Sequence, residues 1–256
     1  MRRTPKLGQH LLINPQVSAR IADAAGVTRD SLVLEVGPGK GALTKELLAR
    51  NARVLAVEKD PAMVAVLKEV FAKEIKNKQL TLIESDARDF LHTTHHELGT
   101  TPYVVAANIP YYITGELIRT FLTAKNQPGS IALLIQKEVA ERIARSKKES
   151  ILSLSVQVYG TPHYVTTVKR GNFSPPPRVD SAILAITNIS RKNFKHVSEE
   201  SFFNVVKAGF GQKRKTLAGN LKRVFGDAFG VPEKIRAEDV PLAQWLTIAR
   251  QLHVGQ

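Results

Sequence analysis

The chain has 256 residues, 43% hydrophobic and 23% charged, which is enough for one large folded domain with a smaller second one. Its 37 Lys and Arg outnumber its 23 Asp and Glu, and the net charge of +14 favours a polyanionic partner, either nucleic acid or an anionic membrane surface. The lack of cysteine excludes disulfide bonds and thiolate chemistry, and no apolar run approaches the roughly 18 residues that span a bilayer.

The amino-terminal residues are basic but are not followed by the apolar core of a signal peptide. We therefore expect a cytoplasmic protein without a membrane segment, while an organelle origin stays open. Residues 8–12 show no period. The first predicted helix follows Asn14, which can cap it, with Pro15 at the first helical position and apolar residues from Val17 to Ala25 on one face.

From Leu32 onwards, short apolar strands alternate with amphipathic helices, a pattern typical of βαβ construction. Strands are predicted at residues 32–36, 54–57, 80–83, 103–107, 131–135, 156–159, 164–168 and 182–186. Helices are predicted at residues 42–50, from Pro61 to about Lys73, after a cap at Thr114, and near residues 137–145. This order predicts an α/β fold with a mostly parallel sheet wrapped by helices.

The period becomes helical after about residue 189. Ser198 can cap a helix with a phenylalanine and valine stripe, and further helices are predicted at residues 217–225 and 242–252. Between Arg191 and Arg223, nine Lys or Arg stand against two acids. We therefore predict two domains, residues 1–187 and a small, basic, all-α domain over residues 188–256.

A glycine-rich turn follows the first strand of the α/β pattern. Gly37 and Gly39 allow a ligand to approach the main chain closely, and Glu58, about twenty residues on, is placed to bind a ribose diol. Proteins that bind NAD share both features, but the G-x-G-x-G spacing differs from theirs. In addition, Glu35 suits the ammonium group of an amino-acid-like ligand better than a pyrophosphate.

Two further strands end in polar residues. Asp86 could accept a hydrogen bond from an adenine amino group, although it could equally be a capping aspartate. The segment from Asn108 to Tyr112 combines an amide, a proline-fixed bend and two aromatic rings, which suits a flat base. Taken alone, it could also be a rigid turn with tyrosines in the core. Because Gly37, Glu58, Asp86 and Asn108 end four successive strands, they should share one sheet edge.

Several segments together resemble the small-subunit ribosomal RNA adenine N6-dimethyltransferases, and the resemblance covers nearly the whole chain in order. The asparagine-proline-tyrosine motif is the most specific of them. The segments are residues 8–12, 35–41, 86–87, 108–112, 136–142, 173–181, 213–217 and 220–221.

This resemblance implies a Rossmann-like S-adenosylmethionine-dependent methyltransferase sheet with a small carboxyl-terminal all-α domain. It also implies S-adenosylmethionine as methyl donor and, as target, two adjacent adenosines near the 3′ end of small-subunit rRNA. The products would be N6,N6-dimethyladenosines, formed during biogenesis of the small subunit. The expected partner is small-subunit rRNA or a 30S assembly particle, and the expected state is a monomer.

The resemblance also implies residue roles. His10 and Leu12 would flank the methionine end of the donor, and its loop would be lined by Glu35, Gly37 and Gly39. Glu58 would bind the ribose, Asp86 the adenine amino group, and Asn108 the reacting region. Bacterial members usually carry Asn where this chain has His10, and His at this position is similar to the archaeal and eukaryotic branch.

The residue types suit methylation of an adenine amino group. The Asn108 side-chain oxygen and a main-chain carbonyl near Pro110 can accept its hydrogens, so the site works by positioning and needs no strong general base. Tyr111 can stack on the extruded adenine, and Phe173 can cover the other face. Alternatively, Phe173 packs on the prolines that follow it.

Clustered basic residues are expected to bind RNA phosphates, although such runs are often only solvated surface. The predicted RNA contacts are Arg142, Arg145, Lys147, Lys148, Lys213, Arg214, Lys215, Lys222 and Arg223. His92, His95 and His96 lack the spacing of a metal motif, and we expect a surface loop and no metal.

Three alternatives stay open from sequence alone. The first is a relative that methylates one adenosine of large-subunit rRNA, as the resistance-type methylases do. The second is a protein that uses this scaffold to bind RNA or assembling ribosomes without catalysis. The third is an NAD-linked enzyme.

Overall fold

The structure, a computed structural model, describes residues 10–92, 98–226, 231 and 233–254. Internal contacts divide the chain into two units. The first comprises the described residues of 1–140 and 162–189, and the second those of 141–161 and 190–256. Residues 141–161, which the sequence placed in the amino-terminal domain, thus belong to the second unit. There the ring of Tyr159 packs against Phe194 and Phe203, with centroids 5.1 and 6.3 Å away.

The described residues form nine strands and eleven α-helices. The strands are β1 (Leu11–Leu12), β2 (Leu32–Val36), β3 (Arg53–Glu58), β4 (Leu80–Glu84), β5 (Val104–Asn108), β6 (Ser130–Gln136), β7 (Thr161–Val168), β8 (Phe173–Ser174) and β9 (Ser181–Thr187). The helices are α1 (Pro15–Ala24), α2 (Ala42–Ala49), α3 (Pro61–Val70), α4 (Ala72–Lys76), α5 (Ala87–His92), α6 (Thr114–Thr123), α7 (Lys137–Ala144), α8 (Ile151–Gln157), α9 (Glu199–Gly209), α10 (Leu217–Phe225) and α11 (Leu242–Val254).

Seven strands form one sheet in the order β4-β3-β2-β5-β6-β9-β7. The first five strands in this order, β4, β3, β2, β5 and β6, pair in parallel, and β9 pairs antiparallel with β6. From β2 the chain builds β3 and β4 on one side and then crosses to β5 on the other. The strand order therefore reverses between β2 and β5, and the crevice at such a reversal is where open α/β sheets bind ligands.

The parallel strands are apolar because helices cover both faces of the sheet. In β2, Val33 and Leu34 are fully buried, and Val33 shares a hydrophobic cluster with Val17 and Ile21 of α1. The Asn14 side chain accepts a hydrogen bond from the Gln16 amide, so the predicted cap is confirmed. Helix α1 is thus capped at its start and packed into the core of the first unit.

One predicted strand is wrong. Instead of forming a strand, Val156 and Gln157 end the helix α8, and Val158 and Tyr159 form the turn after it. Ser150 accepts from the Ser153 amide, and the Ser153 hydroxyl accepts from the Ser150 amide, which forms a capping box. The cap starts a helix whose buried side chains include Leu154, and this outweighs the strand preference of the last residues.

Two other helix predictions also need correction. Thr114 does not cap α6, because a 3₁₀ turn, Tyr111–Ile113, leads directly into the helix and puts Ile113 at the cap position. The helix predicted from Pro61 to about Lys73 is interrupted at Phe71, where φ is −111° and ψ is 27°, and continues as α4. The irregular segment predicted at residues 8–12 contains the short strand β1, which pairs with β8.

The second unit contains α8 to α11, and its carboxyl-terminal part is helical as predicted. The Ser198 side chain accepts from the Ser201 amide, which confirms the predicted cap of α9. The fully buried Trp245 stacks on Phe210 with centroids 5.6 Å apart. In the described part of the chain, none of the helices is both long and apolar enough to cross a membrane.

Gly41 illustrates how tightly the turn before α2 is built. Its φ is +83°, and a β-carbon there would overlap the ring of Phe71. Gly41→Ala should therefore lower the free energy of unfolding by about 2–4 kcal/mol, through overpacking and the left-handed backbone. Gly26→Ala is the control: its φ is +70°, but no atom lies within 4 Å of the added carbon, so only about 1 kcal/mol is expected. Urea unfolding of both variants measures the difference, and equal losses would remove the Phe71 contact as the cause.

Candidate active site

A cavity of about 340 Å³ lies in the first unit at the carboxyl edge of β2, β3, β4 and β5. All the residues that the sequence singled out for catalysis or donor binding line it. They are His10, Leu12, Glu35, Gly37, Gly39, Glu58, Asp86, Asn108, Pro110, Tyr111 and Phe173. The fold thus brings widely separated segments of the chain to one surface.

The glycine-rich turn after β2 forms one wall of the cavity. Gly37 and Gly39 have φ of +67° and +58°, a region that glycine adopts without strain. The Gly37 amide donates to Val57 O at 2.9 Å, which ties the turn to the end of β3. A β-carbon at Gly39 would lie 3.1 Å from Leu11 Cδ2. Glycine therefore lets the amino-terminal segment pass directly over the turn.

Glu58 ends β3 with a carboxylate that is only 4% exposed. Its Oε1 accepts hydrogen bonds from the amides of Lys59 and Asp60, both at 2.9 Å, and its Oε2 accepts from the amide of Gly39 at 3.0 Å. These three donors hold the carboxylate in one orientation. A carboxylate oxygen accepts more than one hydrogen bond, so Oε2 retains capacity for a hydroxyl donor.

Asp86 follows β4 and carries four hydrogen bonds. Its Oδ1 accepts from the Arg88 amide and Nε, each at 3.0 Å, and its Oδ2 accepts from Arg88 Nη2 and Lys59 Nζ, each at 2.8 Å. The pKa of Asp86 lies well below its ordinary value, chiefly because the Arg88 side chain donates to it and secondly because Lys59 does. The Arg88 amide bond is the helix cap that the sequence left open as an alternative, and Asp86 also lines the cavity.

Glu35 lies inside β2 and is 1% exposed. Burial raises the pKa of Glu35 to about 8, against the opposing effect of the Thr44 hydroxyl, which donates to Oε2 at 2.7 Å. The nearby charge of Glu58 raises the pKa further. Glu35 is therefore largely protonated at neutral pH in the protein by itself, and a cation bound beside it would favour its ionised form.

Asn108 ends β5, next to the Gly37 turn. Its Nδ2 donates to His10 O at 3.3 Å, which fixes the orientation of the amide. Within the described residues its side-chain oxygen accepts no hydrogen bond. Asn108 therefore offers an acceptor at the cavity wall, followed by the Pro110 bend, whose carbonyl accepts from the Ile113 amide at 3.3 Å.

Tyr111 is half-buried, and its hydroxyl lies 2.7 Å from the hydroxyl of Ser181. Burial raises the pKa of the Tyr111 phenol, which keeps the ring neutral. The His10 ring lies 6.2 Å from the Tyr111 ring between centroids, and its Nδ1 is 2.9 Å from Pro175 O. His10 thus links the tyrosine to the segment that carries Phe173.

Phe173 is 3% exposed and belongs to the same hydrophobic cluster as Leu12 and Val168. It pairs with Leu12 across β1 and β8, and a nearby hydrogen bond of 2.7 Å joins Asn14 Nδ2 to Asn172 Oδ1. Phe173 also lines the cavity. Its ring therefore has a packing role, against this apolar cluster rather than against the prolines of the alternative interpretation, and still borders the site.

All nine basic residues that the sequence assigned to RNA lie in the second unit, and all are exposed. Lys148 donates to Glu238 at 3.0 Å and to Asp239 at 2.7 Å, so it forms ion pairs within the unit. In the predicted histidine loop, His95 and His96 lie outside the described residues, and the side chain of His92 is also outside them.

The sequence did not identify the residues that hold the predicted side chains in place. Lys59 and Arg88 fix Asp86, Thr44 holds Glu35, and Ser181 holds Tyr111. The contact of Arg88 with Asp86 could have been predicted, because Arg88 stands two positions after Asp86 at the start of a helix. Ser181 ends the segment 173–181, but nothing in the sequence indicated its contact with Tyr111, which depends on the pairing of β9 with β6.

A sequence profile of the Ribosomal RNA adenine dimethylase family matches residues 2–253. A protein of Dehalococcoides mccartyi (strain CBDB1) described as Ribosomal RNA small subunit methyltransferase A is 41% identical over 252 residues, or 93% of this chain and 84% of the relative. Relatives with the same description include one from Geobacillus thermodenitrificans that is 32% identical over 264 residues, or 96% of this chain and 89% of the relative.

Solved structures agree with the predicted fold. A dimethyladenosine transferase from Plasmodium falciparum is 26% identical, with a TM-score of 0.79 over 96% of this chain and 98% of the other. The 23S rRNA methyltransferase ErmE is also 26% identical, with a TM-score of 0.73 over 95% of this chain and 99% of the other. The predicted Rossmann-like methyltransferase fold is thereby confirmed. Since the profile covers almost the whole sequence and a relative reaches 41% identity, the chain belongs to the ribosomal RNA adenine dimethylase family.

Proposed function

We propose that this protein transfers methyl groups from S-adenosylmethionine to N6 of two adjacent adenosines near the 3′ end of small-subunit rRNA, giving N6,N6-dimethyladenosine. The observation that carries the proposal is the Asn108 side-chain oxygen, an oriented acceptor on the wall of a cavity that Tyr111 also lines. The relatives described as small-subunit rRNA methyltransferases support the choice of RNA.

The hydrogen-bonding groups that line the cavity suit S-adenosylmethionine. Its volume of about 340 Å³ falls within the range of about 300–1,000 Å³ that is usual for ligand pockets. The ammonium, ribose and adenine amino groups of the donor all present hydrogens, and Glu35, Glu58 and Asp86 are acceptors when ionised. The G-x-G-x-G spacing differs from that of proteins that bind NAD, and the family match agrees with this difference, which disfavours the NAD-linked alternative.

Each carboxylate would meet one part of the donor. Glu58, fixed by three amides, would accept from the ribose diol. Asp86 already accepts four hydrogen bonds, so an adenine amino group would replace Lys59, whose side chain is 59% exposed and can turn away. Gly37 and Gly39 would leave room for the main chain to approach the ligand, with Leu12 and His10 over the methionine end.

The target adenine would lie beside Asn108. Bound S-adenosylmethionine supplies a methyl group already activated by its sulfonium sulfur. Asn108 Oδ1 and a main-chain carbonyl near Pro110 would accept the hydrogens of the adenine amino group and direct its lone pair. The ring of Tyr111, held by Ser181, would stack on the base, and Phe173 would border its other face. The proton can leave to solvent after transfer, so no general base is required.

The second unit would bind the RNA backbone. The nine basic residues predicted to contact RNA are exposed there and suit phosphate contacts, which orient an RNA without reading its sequence. We expect the protein to act as a monomer in the cytoplasm, on small-subunit rRNA or on an assembling 30S particle. The ion pairs of Lys148 with Glu238 and Asp239 are expected to reduce its contribution to phosphate binding.

Methyl transfer to isolated ribosomal subunits tests the proposal. The protein and labelled S-adenosylmethionine would be incubated with undermethylated 30S particles, with 50S particles and with free 23S rRNA, and the digested RNA analysed by mass spectrometry. We expect N6,N6-dimethyladenosine in 30S rRNA only. Label confined to the large subunit would favour the function of the structurally similar ErmE, and RNA binding without label would leave a non-catalytic role.

A further inference from the structure

The cavity rim carries an exposed aromatic ring that the proposed reaction does not use. Tyr112 is 68% exposed although it lines the cavity, whereas its neighbour Tyr111 is half-buried and bonded to Ser181. The two residues start a 3₁₀ turn with three residues per turn, so their side chains point about 120° apart. One tyrosine therefore faces the protein, and the other faces solvent at the mouth.

Two cations lie at the same rim. Lys59 and Arg88 line the cavity, and their side chains are 59% and 39% exposed. Hydrogen bonds to Asp86 are the main cause of the raised pKa of each. One carboxylate, Asp86, thus pairs with two cations.

Because Asp86 binds one edge of the Arg88 guanidinium group, the opposite edge points away from this carboxylate. The guanidinium donates to Asp86 through Nε and Nη2, and within the described residues its Nη1 atom makes no hydrogen bond. Guanidinium N–H groups held in this way bind phosphate oxygens well. Lys59 uses one of its three donors on Asp86. The adenine amino group of the bound methyl donor would take that place, and the exposed Lys59 side chain could then turn all three donors towards a phosphate.

We propose that Tyr112, Lys59 and Arg88 form a second nucleotide subsite, in which Tyr112 stacks on the RNA base next to the target adenosine and the cations hold its phosphate. A solvent-facing ring beside outward cations is the combination that binds single-stranded nucleic acid. An extruded target base also leaves its neighbour unstacked, and Tyr112 would replace the lost stacking partner. This inference rests on the proposed function, since it assumes that the target adenosine lies beside Tyr111.

Binding measurements on the full chain test this subsite. The probe is a 3′-terminal small-subunit rRNA fragment with 2-aminopurine on either side of the target adenosine, and S-adenosylmethionine affinity is measured in parallel. Tyr112→Ala should raise the Kd for this RNA about tenfold and remove the quenching at one flanking position, while Tyr112→Phe stays within about twofold of the parent. Lys59→Gln should lower the slope of log Kd against log salt by about one.

Val70→Ala is the matched control, because Val70 is 60% exposed in the same unit and does not line the cavity. Unchanged RNA affinity and quenching in Tyr112→Ala would overturn the subsite, as would an equal loss of affinity for S-adenosylmethionine. These measurements do not depend on turnover. If the parent protein binds RNA but methylates no adenosine, the proposed function is refuted. The stacking role of Tyr112 is then judged from the binding measurements alone.

Discussion

Asn108→Ala should lower kcat/KM for methyl transfer by about 10²- to 10³-fold, the usual cost of removing one positioned polar group from a reacting centre. The side-chain oxygen of Asn108 lies at the cavity wall and accepts no hydrogen bond within the described residues. Its removal should therefore lower the rate of methyl transfer more than it lowers stability. RNA affinity should change by less than about threefold, because the expected phosphate contacts are elsewhere. Single-turnover transfer to 30S particles and filter binding measure the two quantities.

Two companion variants separate the oxygen from the rest of the side chain. Asn108→Ala also removes the hydrogen bond to His10 O, and Asn108→Asp removes that donor while keeping an acceptor oxygen. We expect Asn108→Asp to retain more activity than Asn108→Ala. Asn77→Ala, an exposed asparagine outside the cavity, should match the parent. Full activity of Asn108→Ala would exclude the residue from catalysis, and equal loss in both variants would point to the His10 contact.

The sequence predicted the parallel strands and most of the helices because each of these elements has a recognisable local pattern. The five parallel strands are mostly apolar and end at or just before a polar residue or glycine, and Asn14 and Ser198 cap helices as expected. The helix α8 was missed because a two-serine capping box outweighs the strand preference of the residues that follow. The strand β1 was missed because only its pairing with β8 makes it a strand, and a two-residue strand has no period.

The candidate site was predictable to the extent that strand order determines it. The carboxyl ends of adjacent parallel strands meet at one edge, and this rule placed Gly37, Glu58, Asp86 and Asn108 together. Burial was not predictable in the same way. Glu35 is 1% exposed and Tyr112 is 68% exposed, although both are polar or amphipathic residues in motifs of the same site. Such differences depend on side-chain direction, which the motifs do not encode.

The amino-terminal segment adds a link between these parts of the site. His10 contacts Asn108 through its main-chain oxygen and Pro175 through its ring, while Leu12 pairs with Phe173. The site therefore includes a short two-stranded clamp over the end of the main sheet. The His10 ring has a defined contact here, since its Nδ1 lies 2.9 Å from Pro175 O.

Glu35→Gln should remove a large pH dependence of stability. In the folded chain burial raises the pKa of Glu35 to about 8, whereas its ordinary value is 4.5. Between these values the folded state binds more protons than the unfolded state, so stability falls as pH rises. The contribution is fully present below about pH 4.5 and is lost as pH rises through 8. From pH 5 to pH 8 the loss amounts to about 3 kcal/mol.

Urea unfolding of parent and variant at pH 5 and pH 8, without S-adenosylmethionine, measures this loss. Glutamine resembles the protonated acid and can still accept from Thr44, so Glu35→Gln should be nearly insensitive over that range. Glu84→Gln, an exposed glutamate on β4, should keep the slope of the parent. Adding S-adenosylmethionine should flatten the slope of the parent alone, because an ammonium near Glu35 would favour its ionised form. The same slope in parent and Glu35→Gln would show that Glu35 does not titrate in this window.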